Sequence, residues 1–166
     1  MLEIYSKIIK YYLWLIYKIM LILMFLLIFA LGLQISGRYI AIIPRYLWTI
    51  ELSNFCLIWL IFLGSIVGVK ERGHFYMDIF YNVKLTPFLE IIFQFFYYSI
   101  LISIAFIFII FGYSFYKIGL LQTSELTGLN LGIIYVSVPV TGISWLLILL
   151  KEIFERYFFK KRIYVK

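Results

Sequence analysis

The chain has 166 residues, enough for one domain, and it is 65% hydrophobic, 22% aromatic and only 14% charged. Soluble domains are about 45–50% apolar and about 25% charged, so a soluble fold of this size could not bury so much apolar surface. The net charge of +7 lies between and after the apolar runs. This placement favours membrane topology over nucleic-acid binding as its explanation.

Four runs without a charged residue organise the sequence, at residues 19–37, 52–69, 91–116 and 126–150. Each is close to or above the roughly 20 helical residues that cross a bilayer core. The alternating pattern of membrane β-strands is absent from the sequence. The first run exceeds the apolar core of a signal peptide and lacks a clear cleavage site, so we expect it to remain as a helix. The sequence thus predicts an all-α membrane protein, one domain over residues 1–166, with four transmembrane helices.

The segment before the first run, residues 2–17, places its polar residues on one narrow helical stripe: Glu3, Ser6, Lys7 and Lys10. Its tyrosines and Trp14 have amphipathic rings suited to the headgroup zone. Two interpretations stay open. The segment is either a separate amphipathic helix lying on the inner interface or the first turns of a long first helix.

The distribution of lysine and arginine predicts the orientation of the helices. The side that carries both termini and the second loop holds 12 of these residues, and the opposite side holds three. Because the cytoplasmic side carries the excess of positive charge, both termini are predicted to face the cytoplasm.

Small residues recur at four-residue spacing in the apolar runs, and small residues let helices approach closely in lipid. A proline inside the fourth run removes a backbone donor and predicts a bend. We expect contacts between helices or subunits at eight positions: Gly32, Ser36, Trp59, Gly64, Gly68, Gly128, Gly132 and Pro139.

Polar residues gather at two edges of the predicted bundle. At the outer edge, Glu51 is expected to pair with a nearby arginine. At the inner edge, a histidine and an aspartate four residues apart share a face if helical, but a tetrahedral metal site would need two more ligands. The residues expected to anchor the chain at the interface or to form a docking edge are Arg38, Arg45, Trp48, Glu51, His74 and Asp78.

Catalytic and cofactor chemistry has few candidate residues here. No apolar run contains a charged residue or a histidine, whereas an ion-coupled carrier or a small multidrug-type exporter needs a carboxylate within the membrane. His74 is the only histidine and Cys56 the only cysteine, and the predicted topology separates them by the membrane. Haem ligation, metal binding and nucleophilic catalysis, such as a lipid-modifying or redox enzyme would need, are therefore not expected.

Three stretches carry a family resemblance: Trp48-Thr49-Ile50-Glu51-Leu52, then residues 58–65 (IWLIFLGS), then Lys70-Glu71-Arg72-Gly73-His74 followed by Asp78. They resemble the small membrane subunit, of the DctQ type, of tripartite ATP-independent periplasmic (TRAP) transporters. That family reads roughly W-x-E-E-L, then W-L-x-F-L-G, then R-x-G-x-H-I, then D. Ile50 stands where the first acidic residue is usual, Gly73 directly precedes His74, and Phe75 replaces a small aliphatic residue. These departures argue against any role that needs two carboxylates at this motif.

The resemblance implies a non-enzymatic subunit of the bacterial inner membrane. In such systems a periplasmic binding protein captures an organic acid anion, such as a C4-dicarboxylate or sialic acid. A large membrane subunit carries the anion inward with sodium, and the small subunit braces the large one. The expected partners are these two proteins and membrane lipids, with no nucleic acid, and this chain itself is expected to bind no cofactor. An accessory subunit of another transport complex is the alternative, and the sequence leaves the transported acid open.

Overall fold

The computed structural model describes residues 2–40, 44, 46–71 and 87–159, with side chains described at residues 7–40, 44, 46–71, 92–93 and 95–154. These ranges contain five helices: α1 (Leu2–Tyr39), α2 (Trp48–Glu71), α3 (Pro87–Leu120), α4 (Gly132–Tyr135) and α5 (Ser137–Phe159). The described residues form no strand, and a single isolated bridge pairs Thr123 with Asn130. The predicted all-α architecture is confirmed.

Four helical segments are long and apolar enough to cross a membrane: Lys7–Tyr39, Trp48–Glu71, Phe95–Leu120 and Gly132–Phe154. The helices run past the charge-free runs at several ends because lysine, arginine and glutamate, which flank these runs, form helices about as readily as leucine. The prediction of four spanning helices is therefore confirmed.

α1 is one continuous helix of 38 residues, which corresponds to a length of about 57 Å. The segment at residues 2–17 thus belongs to a long first helix, the second of the two interpretations. No glycine precedes Gly32 and no proline precedes Pro44, so no helix breaker separates the segment at residues 2–17 from the first charge-free run.

The four long helices share one apolar core. α1 packs on α2, α2 packs on α5, and α5 packs on α3, so α1 and α3 lie at opposite ends of this order. Ile16 of α1, Ile66 of α2 and Leu149 of α5 are almost fully buried. Leu101 supplies the corresponding buried side chain from α3.

The fourth apolar run differs from its predicted form, a single helix over residues 126–150. Helix begins only at Gly132, and Val136 separates α4 from α5. Pro139 has no N–H to donate to the carbonyl of Tyr135, four residues before it, and its ring crowds that carbonyl. The interruption therefore falls where the proline weakens the helical hydrogen bonding.

Candidate functional site

The carboxylate of Glu51, in the first turn of α2, holds the loop that connects α3 to α4. Its oxygens accept hydrogen bonds from the backbone N–H of Leu126 (3.1 Å) and of Thr127 (2.9 Å), and from the Thr127 hydroxyl (2.6 Å). We expected Glu51 to pair with Arg38 or Arg45. Within the described residues its partners are these loop donors, and Arg38 is exposed. Arg45 lies outside the described residues, so its pairing with Glu51 stays a prediction.

The loop held by Glu51 is a tight turn. The N–H of Ser124 donates to the carbonyl of Leu129 (2.8 Å), and the N–H of Gly128 donates to the carbonyl of Ser124 (3.1 Å). Gly128 has a φ of 68°, a left-handed conformation that favours glycine. Gly128 and Gly132 were expected as a helical pair, but only Gly132 is helical. The need for positive φ explains glycine at position 128.

Two further side chains fix the start of α4. Asn130 donates through Nδ2 to the carbonyl of Leu120 at the end of α3 (2.9 Å) and accepts through Oδ1 from the N–H of Gly132 (2.8 Å). The indole Nε1 of Trp59 donates to the carbonyl of Ile133 (3.2 Å). Since Trp59 and Glu51 both belong to α2, this helix holds the loop and α4 at two separate points.

A small cavity of about 150 Å³ lies between α2 and this loop. Its lining is mostly apolar, and Glu51 is among the polar residues that line it. The lining residues are Glu51, Phe55, Ser124, Thr127, Leu129, Asn130, Leu131, Ile133 and Ile134. Within the described ranges, no group of three His, Cys, Asp or Glu residues is placed to hold a metal ion.

The closest helix contacts join α3 to α4 and α5 through glycines. A Cβ atom at Gly142 would lie 2.8 Å from the carbonyl oxygen of Ala105. A Cβ at Gly112 would lie 2.8 Å from the Cδ of Pro139, so the proline ring packs directly on the α3 backbone. Gly119 approaches Gly132 in the same way. Sequence reasoning did not select Gly112, Gly119 or Gly142, although the first two are seven residues apart and so share a helical face.

The other small residues expected at contacts have different surroundings. A Cβ at Gly64 would make an ordinary 3.7 Å contact with Cε of Met20, so Gly64 lies where α2 meets α1. Gly68 and Ser36 are half-buried. Gly32 is exposed, and no heavy atom of the described structure, apart from its own helix's neighbouring backbone, lies within 4 Å of a Cβ built there. An intersubunit contact at Gly32 stays a prediction.

The sequence also did not predict the polar contacts within the bundle. The Nε2 of Gln34 donates to the carbonyl of Thr49 (2.9 Å) and to the hydroxyl of Ser53 (3.1 Å), which joins α1 to α2. The hydroxyls of Tyr12 and Ser144 are 2.6 Å apart and join α1 to α5. No spacing rule links these partners, because they lie far apart in the sequence.

One face of α1 carries large apolar side chains that nothing in the described structure covers. We define this open face of α1 by five exposed residues: Leu21, Phe25, Ile28, Phe29 and Gly32. Phe25 is 72% exposed, whereas Leu23 and Ala30, on the opposite side of the helix, are buried. Among the expected edge residues, Trp48 at the start of α2 is exposed, and His74 and Asp78 lie outside the described residues.

The comparison with known families decides the identity. The family model described as "Tripartite ATP-independent periplasmic transporters, DctQ component" matches residues 27–159, which is 133 of the 166 residues. The chain belongs to the DctQ family. It is also similar to a protein of Haemophilus influenzae provisionally named a TRAP transporter small permease protein, with 27% identity over 111 residues, 67% of this chain and 68% of that protein. This DctQ-family chain is a small permease subunit of a TRAP transporter and a multi-pass membrane protein.

Proposed function

We propose that this DctQ-family chain braces a large permease subunit that takes up an organic acid anion with sodium. The observation that carries the proposal is the open face of α1. Large apolar side chains surround Gly32 there, and Gly32 leaves room for the backbone of a helix from another protein. In lipid, helices associate through close packing of this kind, because lipid tails are as apolar as the side chains.

The position of α1 in the bundle supports the same docking face. α1 lies at one end of the helix order and packs mainly on α2, so its opposite side is open to a partner. The ties from Glu51 and Trp59 of α2 to the α3–α4 loop and to α4 stiffen the rest of the bundle behind this face. A stiffened bundle with an open face on α1 suits a scaffold for a moving transport subunit.

The finer parts of the proposal come from the family. We propose that a periplasmic binding protein delivers the anion, that sodium binds in the large subunit, and that the chain lies in the inner membrane with both termini in the cytoplasm. The family match and the 12-to-three distribution of lysine and arginine support these points. The resemblance suggests a C4-dicarboxylate or sialic acid as the transported anion.

The test replaces Gly32 with leucine and measures co-purification with the large permease subunit of the same transport system. We expect Gly32→Leu to reduce the recovered large subunit at least ten-fold, because the added side chain prevents backbone approach. Ser103→Leu is the matched control, since Ser103 is an exposed small residue on α3 at the far end of the helix order. Loss of the complex in Ser103→Leu with an intact complex in Gly32→Leu would move the docking face to α3.

A further inference from the structure

A row of basic and aromatic side chains lies on α1 before the first charge-free run. We call it the basic–aromatic stripe, and its members, all exposed, are Lys7, Lys10, Tyr11, Trp14 and Lys18. At about 100° per residue, these five positions fall within an arc of about 100° on one side of the helix.

The stripe faces away from the bundle. Ile9, Leu13 and Ile16, in the same turns of α1, are 6%, 4% and 2% exposed and belong to the apolar core. Their helical positions are centred opposite the stripe. Within the described residues nothing covers the stripe, so it is open to a contact from outside them.

The side chains of the stripe contact one another. The rings of Tyr11 and Trp14 are stacked, with centroids 5.7 Å apart and planes at 24°. The Nζ of Lys18 lies 5.7 Å from the centroid of the Trp14 ring, in a cation–π arrangement. The result is a cationic surface with a flat aromatic floor, which suits a ligand with both a negative charge and an apolar portion.

We propose that the basic–aromatic stripe binds the phosphate headgroup of an anionic phospholipid. Lys18 directly precedes the charge-free run at residues 19–37, so the stripe begins where that run meets the headgroup layer. Tyrosine and tryptophan rings prefer that layer, and lysine ammonium groups attract anionic lipid phosphates. The exposed Ile19 and Ile22, which follow Lys18 into the charge-free run, give the acyl chains an apolar contact that a free phosphate ion would not use.

The alternative occupant of this surface is the large permease subunit. The family match covers residues 27–159, so the stripe lies outside the matched residues. Charge complementarity with lipid phosphates explains three lysines on one face, whereas the apolar open face of α1 carries the proposed protein contact. We therefore assign the stripe to lipid, and the test below separates the two occupants.

The experiment measures lipid binding to the purified full-length chain by native mass spectrometry, with phosphatidylglycerol and phosphatidylcholine titrated separately. We expect at least ten-fold tighter binding of phosphatidylglycerol. The triple variant Lys7→Gln, Lys10→Gln, Lys18→Gln should lose this preference, because each lysine near a lipid surface contributes about a five-fold effect. Millimolar inorganic phosphate should not displace the lipid, and high salt should weaken its binding.

Lys117→Gln is the matched control, because Nζ of Lys117 lies 4.7 Å from the Tyr113 ring centroid at the opposite end of the bundle. This control should keep the wild-type lipid preference, and circular dichroism should show that the triple variant keeps its helical content. Equal phosphatidylglycerol preference in the triple variant and the wild type would overturn the proposal. An unchanged lipid preference with lost co-purification of the large subunit would instead assign the stripe to that protein. Lipid binding by the chain alone does not depend on the bracing role, so the two proposals fail separately.

Discussion

Replacing Gly142 with alanine should separate α3 from α5. The new Cβ would lie 2.8 Å from the carbonyl oxygen of Ala105, 2.9 Å from Cγ1 of Ile109 and 3.0 Å from Cβ of Phe108. Ordinary contacts between such atoms are about 3.5–4.0 Å, so the two helices must move apart by roughly 0.5–1 Å. The nearest atom belongs to the backbone, so no side-chain rotation relieves the clash.

The magnitude follows from two opposing terms. Overpacking of a tight contact costs about 1–3 kcal/mol, while alanine stabilises a helix over glycine by about 0.5–1 kcal/mol. Gly142→Ala should therefore lower the free energy of unfolding by about 1 kcal/mol, within a range of roughly 0–2.5 kcal/mol. Gly32→Ala measures the helix-forming advantage of alanine alone, because nothing lies within 4 Å of its added Cβ. This variant should be neutral or stabilising by up to about 1 kcal/mol.

The assay is equilibrium unfolding of the purified chain in mixed micelles with increasing dodecyl sulfate, followed by circular dichroism. Both variants are measured beside the wild type in the same detergent. Equal stability of Gly142→Ala and Gly32→Ala would refute the close approach of α3 and α5 at Gly142.

Three further predictions concern the hydrogen bonds from the α3–α4 loop to Glu51, the α1–α2 contact and the topology. Glu51→Gln should speed hydrogen exchange at the two loop amides that donate to this carboxylate, because an amide side chain has only one acceptor oxygen, whereas Glu125→Gln in the same loop should not. Unchanged exchange in Glu51→Gln would contradict the role of this carboxylate in holding the α3–α4 loop. Gln34→Leu should lower the free energy of unfolding in the micelle assay by about 1 kcal/mol, because it removes the hydrogen bonds between α1 and α2. Asn54→Leu, at an exposed position of α2, should lower it less. Equal losses in the two variants would contradict the stabilising role of these hydrogen bonds. Reporter fusions in the first and third loops should read outside and those in the second loop and the C-terminal tail inside, and a cytoplasmic signal from either outer loop would reverse the orientation.

The four spanning helices were predictable from the sequence because the bilayer imposes a length and an apolar composition that few other structures share. The start of the fourth helix was not predicted. Residues 126–131 carry no charge, so they extend the apolar run, although Gly128 and Asn130 are typical turn residues. Read as turn residues, Gly128 and Asn130 predict a helix start nearer to Gly132, where the structure has it.

The site was less predictable, because its partners are far apart in the chain. Glu51 and Thr127 are 76 residues apart, and neither a motif nor a periodicity connects them. Arginines close in sequence suggested a local ion pair instead. Gly32 shows the reverse difficulty: its spacing to Ser36 indicates a packing position, but spacing alone does not say whether the partner helix belongs to this chain or to another protein.

Uptake by reconstituted liposomes tests the bracing role most directly. The measurement compares this chain alone, the large permease subunit alone, and both together, each with the periplasmic binding protein, its organic acid anion and an inward sodium gradient. The account predicts sodium-dependent uptake only when both membrane subunits are present. Uptake of the anion by this chain alone, or full uptake by the large subunit without it, would contradict the proposed role.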